Sequence, residues 1–121
     1  MAYTVETIIA EKFESIISKN ITTTRAKDFY DICMLMRNNR SNIDSRELAK
    51  ATENTFNKRN TEFNVDNFEE IIQILSESKI LKKVYSDYQK KLEYTKKVTF
   101  DDTINSLETV VDILKGELVT I

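Results

Sequence analysis

Val5-Glu6-Thr7-Ile8-Ile9-Ala10-Glu11-Lys12-Phe13-Glu14-Ser15-Ile16-Ile17-Ser18-Lys19 places its large apolar residues, Val5, Ile8, Ile9, Phe13, Ile16 and Ile17, at steps of three, one and four. At about 100° per residue those steps draw a single stripe along an α-helix, not the alternating faces of a strand. Thr4 stands where a hydroxyl can accept from an orphan N–H of the first turn.

What surrounds this stretch favours helices throughout. The 121 residues contain no proline and one glycine, Gly116. Sheets of this size reverse direction through Gly, Asn-Gly or Pro turns, whereas helices exclude both residues from their interiors. The length suits one domain, and with 40% hydrophobic residues it can bury a modest core.

Five further helical segments follow from start signals and spacing. The second is expected from Thr23 to Arg37, with the Thr22-Thr23-Thr24 run supplying candidate caps. Its Ala26, Phe29, Tyr30, Ile32, Cys33, Leu35 and Met36 cover more than one face, which places it centrally in the packing. The third starts at Asp44, where Glu47 completes a capping box, and carries Leu48, Ala49, Ala51 and Phe56. Asn57–Asn64 reads as a loop. The fourth starts at Asp66, with Glu69 three residues on, and presents Phe68, Ile71, Ile72 and Leu75. The fifth spans Lys79 to Lys96. The sixth starts at Thr99 with Asp102 as its capping acid and is expected to end at Gly116. The expected fold is all-α: a single compact bundle of about five to six helices over residues 1–121, without repeat or linker.

Composition also excludes chemistry. With no histidine, the chain lacks Ser–His–Asp and Cys–His catalysis and any His-ligated metal. The single cysteine, Cys33, cannot form an internal disulfide or a Cys-based zinc site. No apolar run reaches the roughly 18–20 residues that span a bilayer, and no signal peptide precedes the first helix, so a soluble cytoplasmic chain is expected. Net charge is −2. The charge is uneven, however. Segment 79–97 holds Lys79, Lys82, Lys83, Lys90, Lys91, Lys96 and Lys97 against Asp87 and Glu93, and residues 98–121 are acidic.

Function is sought where a polar residue takes a place that packing alone would give to an apolar one. Lys12 falls between Val5 and Ile8 in angle, inside the stripe of the first helix. Its ammonium group must be paired, snorkel to water, or reach a ligand. The second helix opens with Arg25-Ala26-Lys27-Asp28-Phe29-Tyr30-Asp31. Arg25–Asp28 and Lys27–Asp31 have the spacing of ordinary surface ion pairs, worth a few tenths of a kcal/mol. Yet Arg25 and Asp28 lie by angle on the edge of the buried arc, where a lone charge is costly. A short Thr-rich turn lets the first two helices form a hairpin, so that Lys12 and the Arg25/Asp28 edge share a groove. Basic groups converging beside a carboxylate suit a phosphate-bearing ligand.

Residues 3–18, with Ala10-Glu11-Lys12, followed by Thr24-Arg25-Ala26-Lys27-Asp28-Phe29-Tyr30-Asp31, resemble the two C-terminal motifs of AbiEii/AbiGii-type toxins, a branch of the nucleotidyltransferase superfamily acting in type IV toxin–antitoxin and phage-defence systems. The resemblance covers residues 3–36. It implies that Lys12 contacts a nucleoside triphosphate, that Asp28 is the essential acid of the last motif with Arg25 and Lys27 beside it, and that Tyr30 and Asp31 support packing. For the complete family enzyme it implies Mg²⁺ and a nucleoside triphosphate, an antitoxin, and RNA such as tRNA, for which 79–97 is the candidate surface. The ordinary reading of those lysines is a solvated face.

The chain departs from the family in one large respect. It holds no Gly-Ser dipeptide and no Asp-x-Asp pair, the elements with which the superfamily's sheet domain holds metal and triphosphate. Asp101-Asp102 is adjacent and placed for capping. The expectation is a helical C-terminal half lacking its catalytic sheet domain, without metal ligands of its own and inactive alone, with the site completed by an N-terminal partner half. The alternative is a stand-alone helical interaction module, a decayed toxin or an oligomerising partner.

Overall fold

Thr4 does cap the first helix: its hydroxyl oxygen accepts from Thr7 N at 3.2 Å. The computed structural model describes residues 4–22 and 25–118. Among them are six helices and no strand: α1 (Val5–Lys19), α2 (Ala26–Asn39), α3 (Ser45–Lys58), α4 (Val65–Glu77), α5 (Lys79–Lys91) and α6 (Phe100–Leu118). Short 3₁₀ turns occupy Asn20–Thr22 and Glu93–Lys97. No helix among the described residues is long and apolar enough to cross a membrane.

α1 is the hub, lying against α2, α3 and α4, and α6 closes over α2, α3 and α4 from the other side. The stripe read from the sequence is the buried face: Ile9 and Phe13 are wholly buried and Ile16 nearly so. Phe13 meets Phe68 edge-on at 5.4 Å and Phe56 at 6.1 Å between centroids, and Phe56 and Phe68 are 5.0 Å apart. From α6, Leu107, Val110 and Leu114 fill the opposite side. Truncating such a ring to alanine typically costs about 3–5 kcal/mol.

Several boundaries differ from the expectation. α2 begins at Ala26 with Arg25 as a cap that makes no side-chain capping bond; Thr23 and Thr24 lie outside the described residues. Thr22 turns its hydroxyl back to the Lys19 carbonyl. α4 begins one residue before Asp66, capped by Asn64, whose Oδ1 accepts from Asn67 N at 3.3 Å. Glu69 instead pairs with Lys115 of α6. α5 stops at Lys91 because its own side chains recapture the chain beyond. Gln89 Nε2 donates to the carbonyls of Thr95 and Val98, and Tyr85 Oη donates to Val98 O at 2.8 Å. Burial first, then the Cys33 thiol, holds the Tyr85 phenol well above its ordinary range, so it stays a donor.

Gly116 does not end α6, which continues to Leu118. Asparagine takes the positive-φ role instead. Asn60, at φ 58°, follows α3, and its N–H bonds Asn57 O while Thr61 N bonds Phe56 O at 2.9 Å. This pairing is a Schellman motif, and asparagine tolerates the left-handed region better than most side chains.

The start of α6 is a reciprocal box, as the spacing predicts. Thr99 N donates to Asp102 Oδ2 at 2.9 Å and Asp102 N to Thr99 Oγ1 at 3.0 Å, with Arg37 Nη2 3.2 Å from the same carboxylate. The Thr99 backbone N–H above all holds the Asp102 carboxyl below the usual carboxylate range; burial opposes it, and the Thr99 hydroxyl and Arg37 add to it. Its contribution is therefore full above the unfolded value of about 3.9 and is lost as pH falls through the lower folded value. Asp102→Ala is expected to lower stability by about 1 kcal/mol near pH 7. In urea titrations the gap from the parent chain should hold from about pH 5 to 8 and narrow below about pH 4; a gap unchanged in acid would contradict the assignment.

Candidate functional site

Lys12 leaves α1 on the side facing the first two turns of α2. Its Nζ lies 3.0 Å from Asp31 Oδ2 and 3.5 Å from Asp28 Oδ1. Asp28 is the deeper partner, its side chain only 5% exposed, while the Lys12 side chain is 24% exposed. Arg25 Nε approaches Asp28 Oδ2 at 3.5 Å, and Lys27 Nζ approaches Asp31 Oδ2 at 3.3 Å. All four residues singled out from the sequence, Lys12, Arg25, Lys27 and Asp28, thus belong to one network, and Asp31 joins it as the shorter partner of Lys12.

Three cations meet two carboxylates here. The deep aspartate fixes Lys12 and Arg25, and the Lys27 side chain stays 63% exposed. The cluster sits at the start of α2, where the helix dipole adds to the positive potential. A shallow groove of about 230 Å³ runs on from it between α1 and α2, lined by Ile8, Lys12, Asp31, Met34, Leu35 and Asn38.

The same carboxylates are poor candidates for a metal. Each is already engaged by ammonium or guanidinium groups, and among the described residues no group of three or more His, Cys, Asp or Glu can hold an ion. The donor set does not fit Mg²⁺.

Two further polar groups were not singled out from the sequence. Glu14, whose side chain is 5% exposed, accepts from Arg59 Nη1 at 2.8 Å and from Thr61 Oγ1 at 2.5 Å. Arg59 also reaches Glu11 Oε2 at 3.4 Å. Glu6, likewise buried, accepts from Asp44 N at 2.9 Å. For Glu6 the signal was present, since at about 100° per residue it falls between Phe13 and Ile17 inside the stripe that made Lys12 conspicuous; Glu14 falls just beyond its edge.

Beside Asp31 lies an aromatic group. Tyr30 stands 6.3 Å from Tyr88 and 5.8 Å from Tyr94 between centroids. Burial, then the Tyr94 phenol and the Asp31 carboxylate, push the Tyr88 hydroxyl up to about 12. Tyr94 is 61% exposed.

A family model described as nucleotidyl transferase AbiEii toxin, type IV toxin–antitoxin system, matches residues 1–106. The chain belongs to that family. The match runs through α1–α5 and into α6, far beyond residues 3–36 on which the resemblance was read. No curated protein and no solved structure matches the chain.

The Glu14 pair predicts an asymmetry. Arg59→Met strands a buried carboxylate and is expected to cost about 3 kcal/mol. Glu14→Gln leaves a partly exposed guanidinium free to turn to water and Glu11, and should cost about 1–2 kcal/mol. Chemical denaturation of the two variants checks the order, and an equal or reversed cost would show that Thr61 holds Glu14 without Arg59.

Proposed function

We propose that this member of the AbiEii family supplies the phosphate-holding side of a nucleotidyl-transfer site in a toxin–antitoxin system. Lys12 contacts the triphosphate, Arg25 and Lys27 flank it, and Asp28 acts by fixing the cations. One observation carries the reading: Lys12, the charge that interrupts the α1 stripe, is held by Asp28 and Asp31 at the mouth of an open groove. A preorganised ammonium costs little ordering when a phosphate arrives, and a neighbouring carboxylate keeps it in place between encounters.

In nucleotidyl transfer an acceptor oxygen attacks the α-phosphorus, the α–β bond breaks and pyrophosphate leaves. Negative charge builds on the departing phosphates, and cations placed there lower the barrier. Lys12, Arg25 and Lys27 suit that task. Activation of the acceptor and metal binding call for carboxylates of another kind, and the Gly-Ser and Asp-x-Asp elements that the family resemblance leads one to expect do not occur in these residues. In this proposal they come from a partner segment seated across the groove.

A second reading concerns α5 and the turn after it. Lys83 and Lys90 pair with Asp87, and Lys96 with Glu93, while Lys79, Lys82, Lys91 and Lys97 make no ion pair among the described residues. Tyr94 stands exposed beside this face. Free lysines with an open aromatic ring suit a single-stranded RNA, the rings stacking on bases and the ammonium groups following phosphates. Binding to short RNA should weaken steeply as salt rises and with little dependence on sequence. Lys91→Glu with Lys97→Glu should flatten that slope, and binding unaffected by the charge reversals would remove the face from consideration.

For the transfer site, the purified chain with labelled nucleoside triphosphates and Mg²⁺ should label neither RNA nor protein. Adding a family segment that carries Gly-Ser and Asp-x-Asp should restore labelling, and Lys12→Ala should reduce the restored rate by about 100-fold, the effect of removing one charge stabiliser. Labelling by the chain alone, or full restoration with Lys12→Ala, would overturn the proposal. Failure of any segment to restore labelling would favour a helical interaction module.

A further inference from the structure

We infer that the α1/α2 groove beyond Lys12 is a nucleobase subsite, with Asn38 reading the edge of the base. The inference rests on the phosphate role proposed for Lys12. The groove is built from one edge of each helix: Ile8 and Lys12 are four apart on α1, and Asp31, Met34, Leu35 and Asn38 follow the three-four-seven spacing of one α2 face. Charge sits at one end, in Lys12 and Asp31. The middle is apolar, walled by Ile8, Met34 and Leu35, all of them only partly buried. A neutral amide closes the other end.

That order matches a nucleotide, which presents phosphate, then sugar, then a flat apolar ring with a hydrogen-bonding rim. From Asp31 to Asn38 is seven residues, about 10 Å along the helix axis, the span between the phosphates and the base edge of an extended nucleotide. The volume of about 230 Å³ admits a base and part of a ribose. Asn38 is exposed and its side chain makes no hydrogen bond among the described residues, unlike its neighbour Asn39, whose Nδ2 is committed to Leu35 O at 2.9 Å. A free amide offers a donor and an acceptor side by side, the pattern that pairs with a base edge. The thioether of Met34 is a polarizable surface suited to contact with an aromatic ring.

Titration of the full 121-residue chain, followed by NMR shift perturbation, tests this with five probes: ATP, GTP, CTP, UTP and inorganic tripolyphosphate. Tripolyphosphate should bind and lose binding in Lys12→Ala. The best nucleotide should bind roughly tenfold more tightly than tripolyphosphate, the worth of an amide hydrogen bond with ring contact. Its shifts should include Ile8, Met34, Leu35 and Asn38. Asn38→Leu, at an exposed position that leaves folding intact, should compress the spread among the four nucleotides to about twofold while leaving tripolyphosphate unchanged. Nucleotides binding no more tightly than tripolyphosphate, shifts that avoid the groove, or a spread that survives Asn38→Leu would each overturn the subsite and leave the phosphate role standing. Tripolyphosphate that fails to bind would overturn both.

Discussion

A charged side chain turned into a helical bundle has to meet its counter-charge there, because stranding it costs more than most single contacts return. α1 carries three such residues, and each draws in a different piece of the chain. Glu6 takes the first free N–H before α3, at Asp44. Glu14 takes Arg59 and Thr61, just past the other end of α3. Lys12 takes Asp28 and Asp31 of α2. The hub helix therefore sets the position of both ends of α3 and of the opening turns of α2 by charge, while Phe13, Phe56 and Phe68 fill the space between by shape.

This arrangement also fixes the Lys12 cluster in place. The ammonium is anchored on a helix that is itself held on several sides, and the aspartates that hold it rise from a second helix packed on the first. Arg37 and Asp102 tie the far end of α2 to α6, so α2 is secured along its length. Arg25 and Lys27 flank Lys12 and keep more than half of their side-chain surface in solvent.

The helical fold was legible because proline and glycine are almost missing and because the apolar spacing is regular. Caps formed by a local hydroxyl or carboxylate were legible too, at Thr4, Asp44 and Thr99. The misread boundaries were those decided by residues distant in sequence or by the less obvious of two neighbouring caps. Nothing in the lysine-rich run reveals that Tyr85 and Gln89 will pull Val98 back and stop α5. Asn64 and Asp66 both look like caps, and only the geometry chooses between them. At the site, Lys12, Arg25, Lys27 and Asp28 stood out as charges on an apolar arc. Asp31 was read as the partner of Lys27 and as a packing residue, and its closer approach to Lys12 was missed, since a pair across two helices cannot be seen along one. Glu6 obeyed the same rule that exposed Lys12, whereas Glu14, beyond the edge of that arc, went unread because its partner, Arg59, sits just past the end of a helix 45 residues later in the chain.

The position of α6 has a consequence for how the protein comes into being. Leu107, Val110 and Leu114 are buried against elements made long before them, so the faces of α2, α3 and α4 that they cover stay wet until α6 is available. Synthesis at about 5–20 residues per second leaves those faces open for seconds after α1 through α4 have been made. Whatever the mature chain does at the Lys12 cluster, the cluster itself is assembled from α1 and α2 and can form while the ribosome is still adding α6.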